Sequence, residues 1–266
     1  AFQRREILPD GASALYGASA LGGVINFVSR RPDGRHELLL NQTHKGGTDA
    51  ALWWSGPVDE DPLKYSVVTS LHRQTSQDVD DDGGADMARF ERVVVRPRVH
   101  WDDGEGNELF VTAGAMLEDR EGGTVKGGVV PVGSPSGTPF EEALRTRRFD
   151  VGTTARRRLS DDRSLSMRAS YTHRDATQVF GDVREPSRFD TALAEATYGG
   201  ESGAHSWLVG MVFQQERYRN DTFPAFDFTY DVPGVFAHDE IRAGEHVTVS
   251  ASARVDRHDE YGTFFS

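Results

Sequence analysis

The chain contains no cysteine among its 266 residues, which excludes disulfide bonds, cysteine-ligated metal centres and thiol catalysis. Long apolar segments are also missing, because the longest candidate, Leu21–Val28, is interrupted by two glycines and an asparagine. A membrane helix needs about 18–20 apolar residues, so a helical membrane protein is excluded. A transmembrane β-barrel is not excluded, since the hydrophobic signal of each of its strands is much weaker.

Positive charge is scarce in this chain. Lys and Arg number 30 against 42 Asp and Glu, so the formal net charge is −12. Binding of nucleic acid through its phosphates needs a surplus of basic residues, and we therefore expect no nucleic-acid partner. The chain begins without an initiator methionine or a signal segment, and it stops just after a strongly alternating stretch. We therefore expect a piece of a longer protein.

What the chain has in abundance is a period-two alternation of apolar and polar residues, which is typical of a strand with two different faces. From His246 to His258, valines and alanines occupy one face, and Thr, Ser, Arg and Asp occupy the other. The same pattern recurs at Leu63–Arg73, Arg92–Trp101 and Leu165–Arg174. Further strands are expected near 36–44, 48–57, 107–119, 147–159, 189–200, 205–218 and 235–242. The sequence therefore predicts an all-β chain of about eleven strands.

The expected connections differ in length at the two ends of the strands. The short ones are Asp59–Pro62, Asp102–Asn107, Ser160–Arg163, Glu201–Ala204 and Ala243–His246. The long ones are Thr75–Ala88, Glu121–Thr146, Gln178–Arg188 and Asn220–Gly234, and only the first connection on that side, Lys45–Gly47, is short. Outer-membrane barrels have tight periplasmic turns and long outer loops, and their strands need about 9–11 residues to cross the bilayer. This pattern favours an antiparallel transmembrane β-barrel over a soluble β-sandwich, whose strands usually have about 5–6 residues.

The first 32 residues carry a more specific motif. Gly11–Gly17 reads GASALYG, and Leu21–Pro32 reads LGGVINFVSRRP. This block resembles the end of the plug domain in TonB-dependent outer-membrane receptors. The residues that carry the plug motif are Tyr16, Gly17, Gly22, Gly23 and Asn26. The resemblance implies the C-terminal end of a plug at residues 1–34 and the N-terminal half of a barrel of about 22 strands at 35–266.

The resemblance also implies a function and a location. The family lies in the outer membrane of Gram-negative bacteria, in contact with its lipid, and imports scarce substrates with energy from the TonB–ExbB–ExbD complex. Ferric siderophores, haem, cobalamin and saccharides are its substrate classes. The TonB box of the family is absent from this chain. The alternatives are a passive porin-like channel and a soluble β-rich binding protein.

Two groups of residues are candidates for ligand binding. Several arginines lie mostly on the polar face of the expected strands, which would face the lumen of a barrel. There they can attract anionic ligands such as ferric siderophores, or can pair with acidic plug residues. They are Arg92, Arg96, Arg98, Arg168 and Arg174. Aromatic residues of an outer loop can stack on a flat ligand or form the loop's own small core. They are Phe223, Phe226, Phe228 and Tyr230.

An acidic loop suggests one further site. Residues 78–83 read DVDDDG, which matches the first half of a calcium loop and makes Asp78, Asp80 and Asp82, with Asp86 as a further ligand, candidates for Ca²⁺ binding. The twelfth position holds Arg89 in place of the usual glutamate, so a solvated acidic loop is the alternative. No other cofactor is expected. No G-x-S-x-G motif occurs, and we expect no enzyme and no catalytic residue.

Two adjacent tryptophans, Trp53 and Trp54, lie a few residues before the short connection at Asp59–Pro62. Outer-membrane barrels carry rings of aromatic residues at both membrane interfaces. We therefore expect both tryptophans to belong to an interfacial aromatic girdle.

Overall fold

The computed structural model describes residues 2–8, 24–56, 62–125, 139–244 and 246–266. Within them, fourteen strands and one short 3₁₀ helix, Pro224–Phe226, follow one another. The strands are β1 (Phe2–Leu8), β2 (Val24–Ser29), β3 (His36–Gln42), β4 (Gly47–Ser55), β5 (Leu63–Gln74), β6 (Arg89–Asp102), β7 (Glu108–Gly123), β8 (Glu141–Ser160), β9 (Arg163–Phe180), β10 (Val183–Ser202), β11 (His205–Asn220), β12 (Phe228–Arg242), β13 (Thr248–His258) and β14 (Gly262–Phe265). No helix in this part of the chain is long and apolar enough to span a lipid bilayer.

The strands form two sheets. β1 and β2 pair antiparallel with each other, and β3 to β14 form one twelve-stranded sheet in which every strand pairs antiparallel with its neighbours in sequence. The predicted all-β antiparallel architecture is confirmed. The expected strands, about eleven in number, correspond to eleven of the twelve in the large sheet. The twelfth, β14, has only four residues and so shows no sustained alternation.

The two faces of the large sheet have opposite character, and burial is reversed relative to a soluble protein. The cross-strand registers place all the most buried side chains on the polar face, among them Trp53, Arg98, Glu118, Arg254 and Asp256. The apolar face is open, with Leu117 57% exposed and Met211 64% exposed. Large exposed apolar surfaces mark contacts with a membrane or a partner. This reversal matches a barrel wall with lipid outside and a polar lumen inside.

Three of the expected long connections are shorter than the sequence suggested. Gln178–Arg188 was expected to be a loop, but β9 and β10 continue through it and meet at the two-residue turn Gly181–Asp182. The other two shrink to 124–140 and 221–227, whereas Thr75–Ala88 has the expected bounds. The alternation fades where the strands leave the apolar band, but backbone pairing continues beyond it. At about 3.3 Å per residue, the 20 residues of β10 reach roughly 65 Å, well past the membrane core.

Because consecutive strands of the large sheet run antiparallel, alternate connections lie at the same end of the sheet. Cysteine substitutions can test this assignment because the chain has no native thiol. We expect a membrane-impermeant maleimide to label Val79→Cys and Asp182→Cys on intact cells but to spare Glu105→Cys, which lies at the opposite end. These positions are preferable to Gly83 and Gly104, whose backbones have φ values of +87° and +75° and resist a side chain.

Permeabilised cells are the control, because all three cysteines should then react. Labelling of Glu105→Cys in intact cells at the rate of Val79→Cys would contradict the assignment of the two ends.

Candidate functional site

The predicted inward arginines all lie on the polar face, where most of them pair with carboxylates of neighbouring strands. Arg92 donates to Glu118, and Arg168 donates to Glu195 across 2.7 Å. Arg98 is 6% exposed. The expected pairing with acidic plug residues is not what the described residues show, since these carboxylates belong to the sheet itself. A buried arginine needs such partners to offset its lost hydration.

Arg96 forms the most extended of these pairs. It starts on β6, crosses β7 and donates two hydrogen bonds to Asp150 on β8, with N–O distances of 2.6 and 2.9 Å. Gly114 of β7 lies beneath the pair, and a β-carbon there would come within 2.7 Å of both partners. The missing side chain is therefore what lets the ion pair cross the strand.

A second buried cluster escaped the sequence reading. Arg254 donates to both oxygens of Asp256, at 2.6 and 2.8 Å, and its guanidinium lies 5.5 Å from the ring centre of Phe236. The ring of Phe236 in turn covers Gly210 of β11. Arg254 and Asp256 are two residues apart on the polar side of β13, and that spacing was the available signal.

An aromatic row crosses the polar face at the end that carries Thr75–Ala88. It continues from strand to strand with ring centres 4.6 to 6.4 Å apart, which is within the range of favourable ring contacts. Arg174 lies over the ring of Phe189, 5.6 Å from its centre. The members of this aromatic row are Phe189, Tyr218, Phe228, Tyr230, His258 and Tyr261.

The four aromatic residues singled out in the sequence separate into two groups. Phe228 and Tyr230 stack on each other at 4.6 Å within the aromatic row. Phe223 and Phe226 instead pack edge to face at 6.3 Å beside the short helix, and Phe226 is 66% exposed. The other members of the row were missed because they come from separate strands. The only sequence signal for the row was that these aromatic residues occupy polar-face positions of their strands.

The β1–β2 hairpin lies against the polar face. Arg31, just after β2, reaches Asp102 at 3.5 Å and Glu108 at 3.6 Å. A cleft of about 500 Å³ separates the hairpin from the wall, with Asn26 and Arg168 in its lining. Asn26 itself donates to Glu6 across 2.8 Å. The other plug-motif residues, Tyr16, Gly17, Gly22 and Gly23, lie outside the described part of the chain.

The segment that leads from β2 into the sheet is held by Arg30. Its guanidinium pairs with Asp33 at 2.6 Å and Glu37 at 2.8 Å and lies 5.0 Å from the ring centre of Trp53. The hydrogen bond from Arg30 lowers the pKa of the Asp33 carboxyl to about 2, because it favours the charged form. Trp53 is buried on the polar face beside Arg30. The expectation that Trp53 belongs to an interfacial girdle was therefore wrong.

Trp54 points to the apolar face, as expected for the girdle, and contacts the rings of His36 and Tyr65 at 5.9 and 5.4 Å. Adjacent residues of a strand alternate between its faces, so the two tryptophans had to separate. Trp101 and Trp207 lie on the same face at the same end of the sheet. An aromatic belt therefore marks the end of the apolar band at the short turns.

The acidic loop brings three of its four expected ligands together. Carboxylate oxygens of Asp78, Asp80 and Asp86 lie within 4.8 Å of one another. Asp82 turns away and accepts the backbone N–H of Gly84 at 2.7 Å. Asp78 and Asp86 also accept backbone N–H groups within the loop, at 2.9 and 2.7 Å. These bonds organise the loop by themselves, and Ca²⁺ binding stays a prediction.

The ion pairs of the polar face can be ranked by exposure. The side chains of Arg96 and Asp150 are 22% and 13% exposed, whereas Arg158 pairs with the fully exposed Asp161 at the same 2.6 Å. We expect Asp150→Asn to lower the free energy of unfolding by about 1–3 kcal/mol, because it leaves Arg96 half-buried without its counter-charge. Asp161→Asn, the matched control, should have little effect. Denaturant titration of the complete protein in detergent gives both values, and equal losses would contradict the ranking.

The comparisons with known proteins fit this geometry. No family model matches the chain. Among curated proteins of Pseudomonas aeruginosa, it is 27% identical to a metal–pseudopaline receptor over 180 residues, covering 64% of this chain and 24% of the receptor. It is 25% identical to the ferric enterobactin receptor PirA over 219 residues, covering 78% of the chain and 28% of the receptor. The chain thus spans about a quarter of the length of these relatives.

Solved structures share the fold. The siderophore receptor PirA from Acinetobacter baumannii matches with a TM-score of 0.75 and 15% identity, over 100% of this chain and 45% of that one. The ferric yersiniabactin uptake receptor from Yersinia pestis matches with a TM-score of 0.73 and 17% identity, over 100% and 47%. The solved structures show the shared fold, and together with the curated relatives they show that the chain is similar to outer-membrane receptors of the TonB-dependent kind.

Proposed function

We propose that this chain is part of an importer that carries a metal chelate of the siderophore class across the outer membrane, driven by TonB–ExbB–ExbD. Residues 1–34 are then the end of the plug, and 35–266 are the first half of the barrel. The sheet supports this division, because its edge strands β3 and β14 do not pair with each other. Open edges do not persist in hydrocarbon, so further strands must close the wall.

The observation that carries the proposal is the aromatic row on the polar face. It lies at the end that carries the long loops and turns its rings toward the lumen, next to Arg174. Among the described residues Arg174 forms no ion pair, so its charge is available to a ligand. Aromatic surfaces and a cation together suit an anionic chelate with flat donor groups. The relatives named for metal–pseudopaline and ferric enterobactin support the same substrate class.

The remaining arginines have a different role in this proposal. Arg92, Arg96 and Arg168 already hold carboxylates. A ligand that competed for them would have to break a partly buried ion pair. We therefore assign them to the wall of the lumen and reserve direct contact with the chelate for Arg174 and the aromatic row. Haem, cobalamin and saccharides lack a comparable observation in their favour.

A passive channel fits the structure less well. The β1–β2 hairpin lies over the polar face and is tied to the wall through Arg31, so it occupies part of the path that a porin leaves open. A soluble binding protein conflicts with the exposed apolar face. The chemistry of the site is binding rather than catalysis, and we propose no enzymatic activity.

Energy coupling gives the direct test of this function. We expect cells that carry the complete receptor to accumulate a radioiron-labelled siderophore and to lose this uptake when tonB is deleted, while ligand binding to the cells persists. Uptake that continues without tonB would favour the passive channel and overturn the proposal.

The aromatic row makes a second, residue-level prediction. Removing a ring contact costs about 0.5–1.5 kcal/mol beyond the loss of area, so Phe189→Ala and Tyr230→Ala should each weaken chelate binding about 3- to 10-fold. Phe149 and Phe213 lie on the apolar face, and Phe149→Ala and Phe213→Ala serve as matched controls that should leave affinity unchanged. Titration of tryptophan fluorescence in the purified receptor measures all four. An equal loss in both pairs would remove the aromatic row from the site.

A further inference from the structure

Beyond the apolar band, at the end of the long loops, the apolar face carries an excess of arginine. Arg147 on β8, Arg188 on β10 and Arg217 on β11 all face away from the lumen. We define these three residues, together with Arg219, as the arginine patch. The chain as a whole has a net charge of −12, so a local surplus of positive charge at this place needs a physical reason.

The register shows how close these side chains are. Arg147 is the cross-strand partner of Asp175, which in turn pairs with Arg188, and Arg188 pairs with Arg219. Directly opposite residues on adjacent strands lie about 5 Å apart. One row across four strands therefore presents three arginines and one aspartate.

The next row toward the bilayer centre holds the remaining arginine. It contains Arg217 and Asp190, which are cross-strand partners, with His173 next to Asp190. The two rows together carry four arginines and two aspartates.

The two aspartates are largely engaged elsewhere. Asp190 accepts hydrogen bonds from Tyr171 and His173, both at 2.7 Å. Asp175 contacts His173 at 3.2 Å and Arg188 only at 3.8 Å. Arg147 and Arg217 are exposed, and neither forms an ion pair with any residue described by the structure. Arg188 also lies 3.9 Å from Asp221, and Arg219 lies 3.8 Å from Asp227. The positive charge that the arginine patch leaves open to an external anion is therefore that of Arg147 and Arg217.

The same face shows no such surplus at the neighbouring strands β5 to β8. There one register row reads Arg73, Glu91, Asp119 and Arg145. The pairs Arg73–Glu91 and Arg145–Asp119 lie at 3.5 and 3.4 Å. On β8 this balanced row ends at Arg145, two residues beyond Arg147, and it leaves no net charge.

The position of the arginine patch limits what can bind it. Its side chains point away from the polar face, so a chelate in the lumen does not reach them. Just below them the apolar band begins, with Phe149 next to the patch and Phe213 four residues below Arg217 on the same face. At this boundary a lipid exposes its headgroup, and arginine forms forked hydrogen bonds with phosphate. We propose that the arginine patch binds the phosphate groups of an anionic lipid in the outer leaflet.

The binding test uses the complete receptor in neutral detergent and fluorescent lipopolysaccharide as the probe. Each basic residue near an anionic surface strengthens binding, so the triple variant Arg147→Gln, Arg188→Gln, Arg217→Gln should bind at least about tenfold more weakly. The control triple Arg73→Gln, Arg89→Gln, Arg145→Gln removes the same charge from the same face and should change binding less than about threefold.

Two further arms separate the source of the phosphate and the effect of folding. Dephosphorylated lipopolysaccharide should bind the native receptor as weakly as the triple glutamine variant, and excess inorganic phosphate should not displace the intact lipid. A triple lysine variant at positions 147, 188 and 217 keeps the charge and should retain most of the binding. Heat-modified mobility of every variant confirms that the barrel is folded.

Equal losses in the patch and control variants would overturn the proposal, as would undiminished binding of the dephosphorylated lipid. Displacement by inorganic phosphate would show a free-anion site and would equally exclude a lipid site. None of these outcomes bears on uptake of the chelate, so the proposal for the lumen stands or fails separately.

Discussion

The whole structure depends on one constraint: backbone N–H and C=O groups inside a bilayer must find partners within the protein, because lipid offers none. The unbroken antiparallel pairing from β3 to β14 meets this requirement along the sheet. Since these bonds lie in the plane of the sheet, they leave its two faces free to meet different surroundings. That freedom permits the reversed burial, with Met211 exposed and Asp256 buried.

Burying charge on the polar face creates a second requirement, which the sheet meets by cross-strand pairing. Arg96 reaches Asp150 two strands away only because Gly114 has no side chain. The ring of Phe236 covers Gly210, and the guanidinium of Arg254 lies over the same ring. Glycines under long side chains thus stiffen the wall without filling the lumen. In the function we propose, the paired arginines then serve as structure, whereas the aromatic row at the outer end offers surface to a ligand.

Sequence reasoning succeeded where the physics is local and failed where it is not. Alternation located most strands, because the two faces of a strand meet different solvents with a period of two. It misplaced the ends of β9 and β10, because pairing continues past the apolar band through polar residues. It assigned both Trp53 and Trp54 to the interfacial girdle, although the two side chains lie on opposite faces of the sheet. It found Phe228 and Tyr230, which are close in sequence, and missed Phe189, Tyr218 and His258, which are not.

The sequence by itself determined the all-β architecture, the polar face on which the arginines lie and the resemblance to a receptor family, since each of these depends on short-range patterns or a local motif. Only the tertiary structure decided which carboxylate each arginine holds, which aromatic rings join into one row and where the positive charge is left unbalanced. Those outcomes depend on register, and register is a relation between strands that no single strand encodes. A shift of one residue would exchange the two faces and undo every one of these contacts.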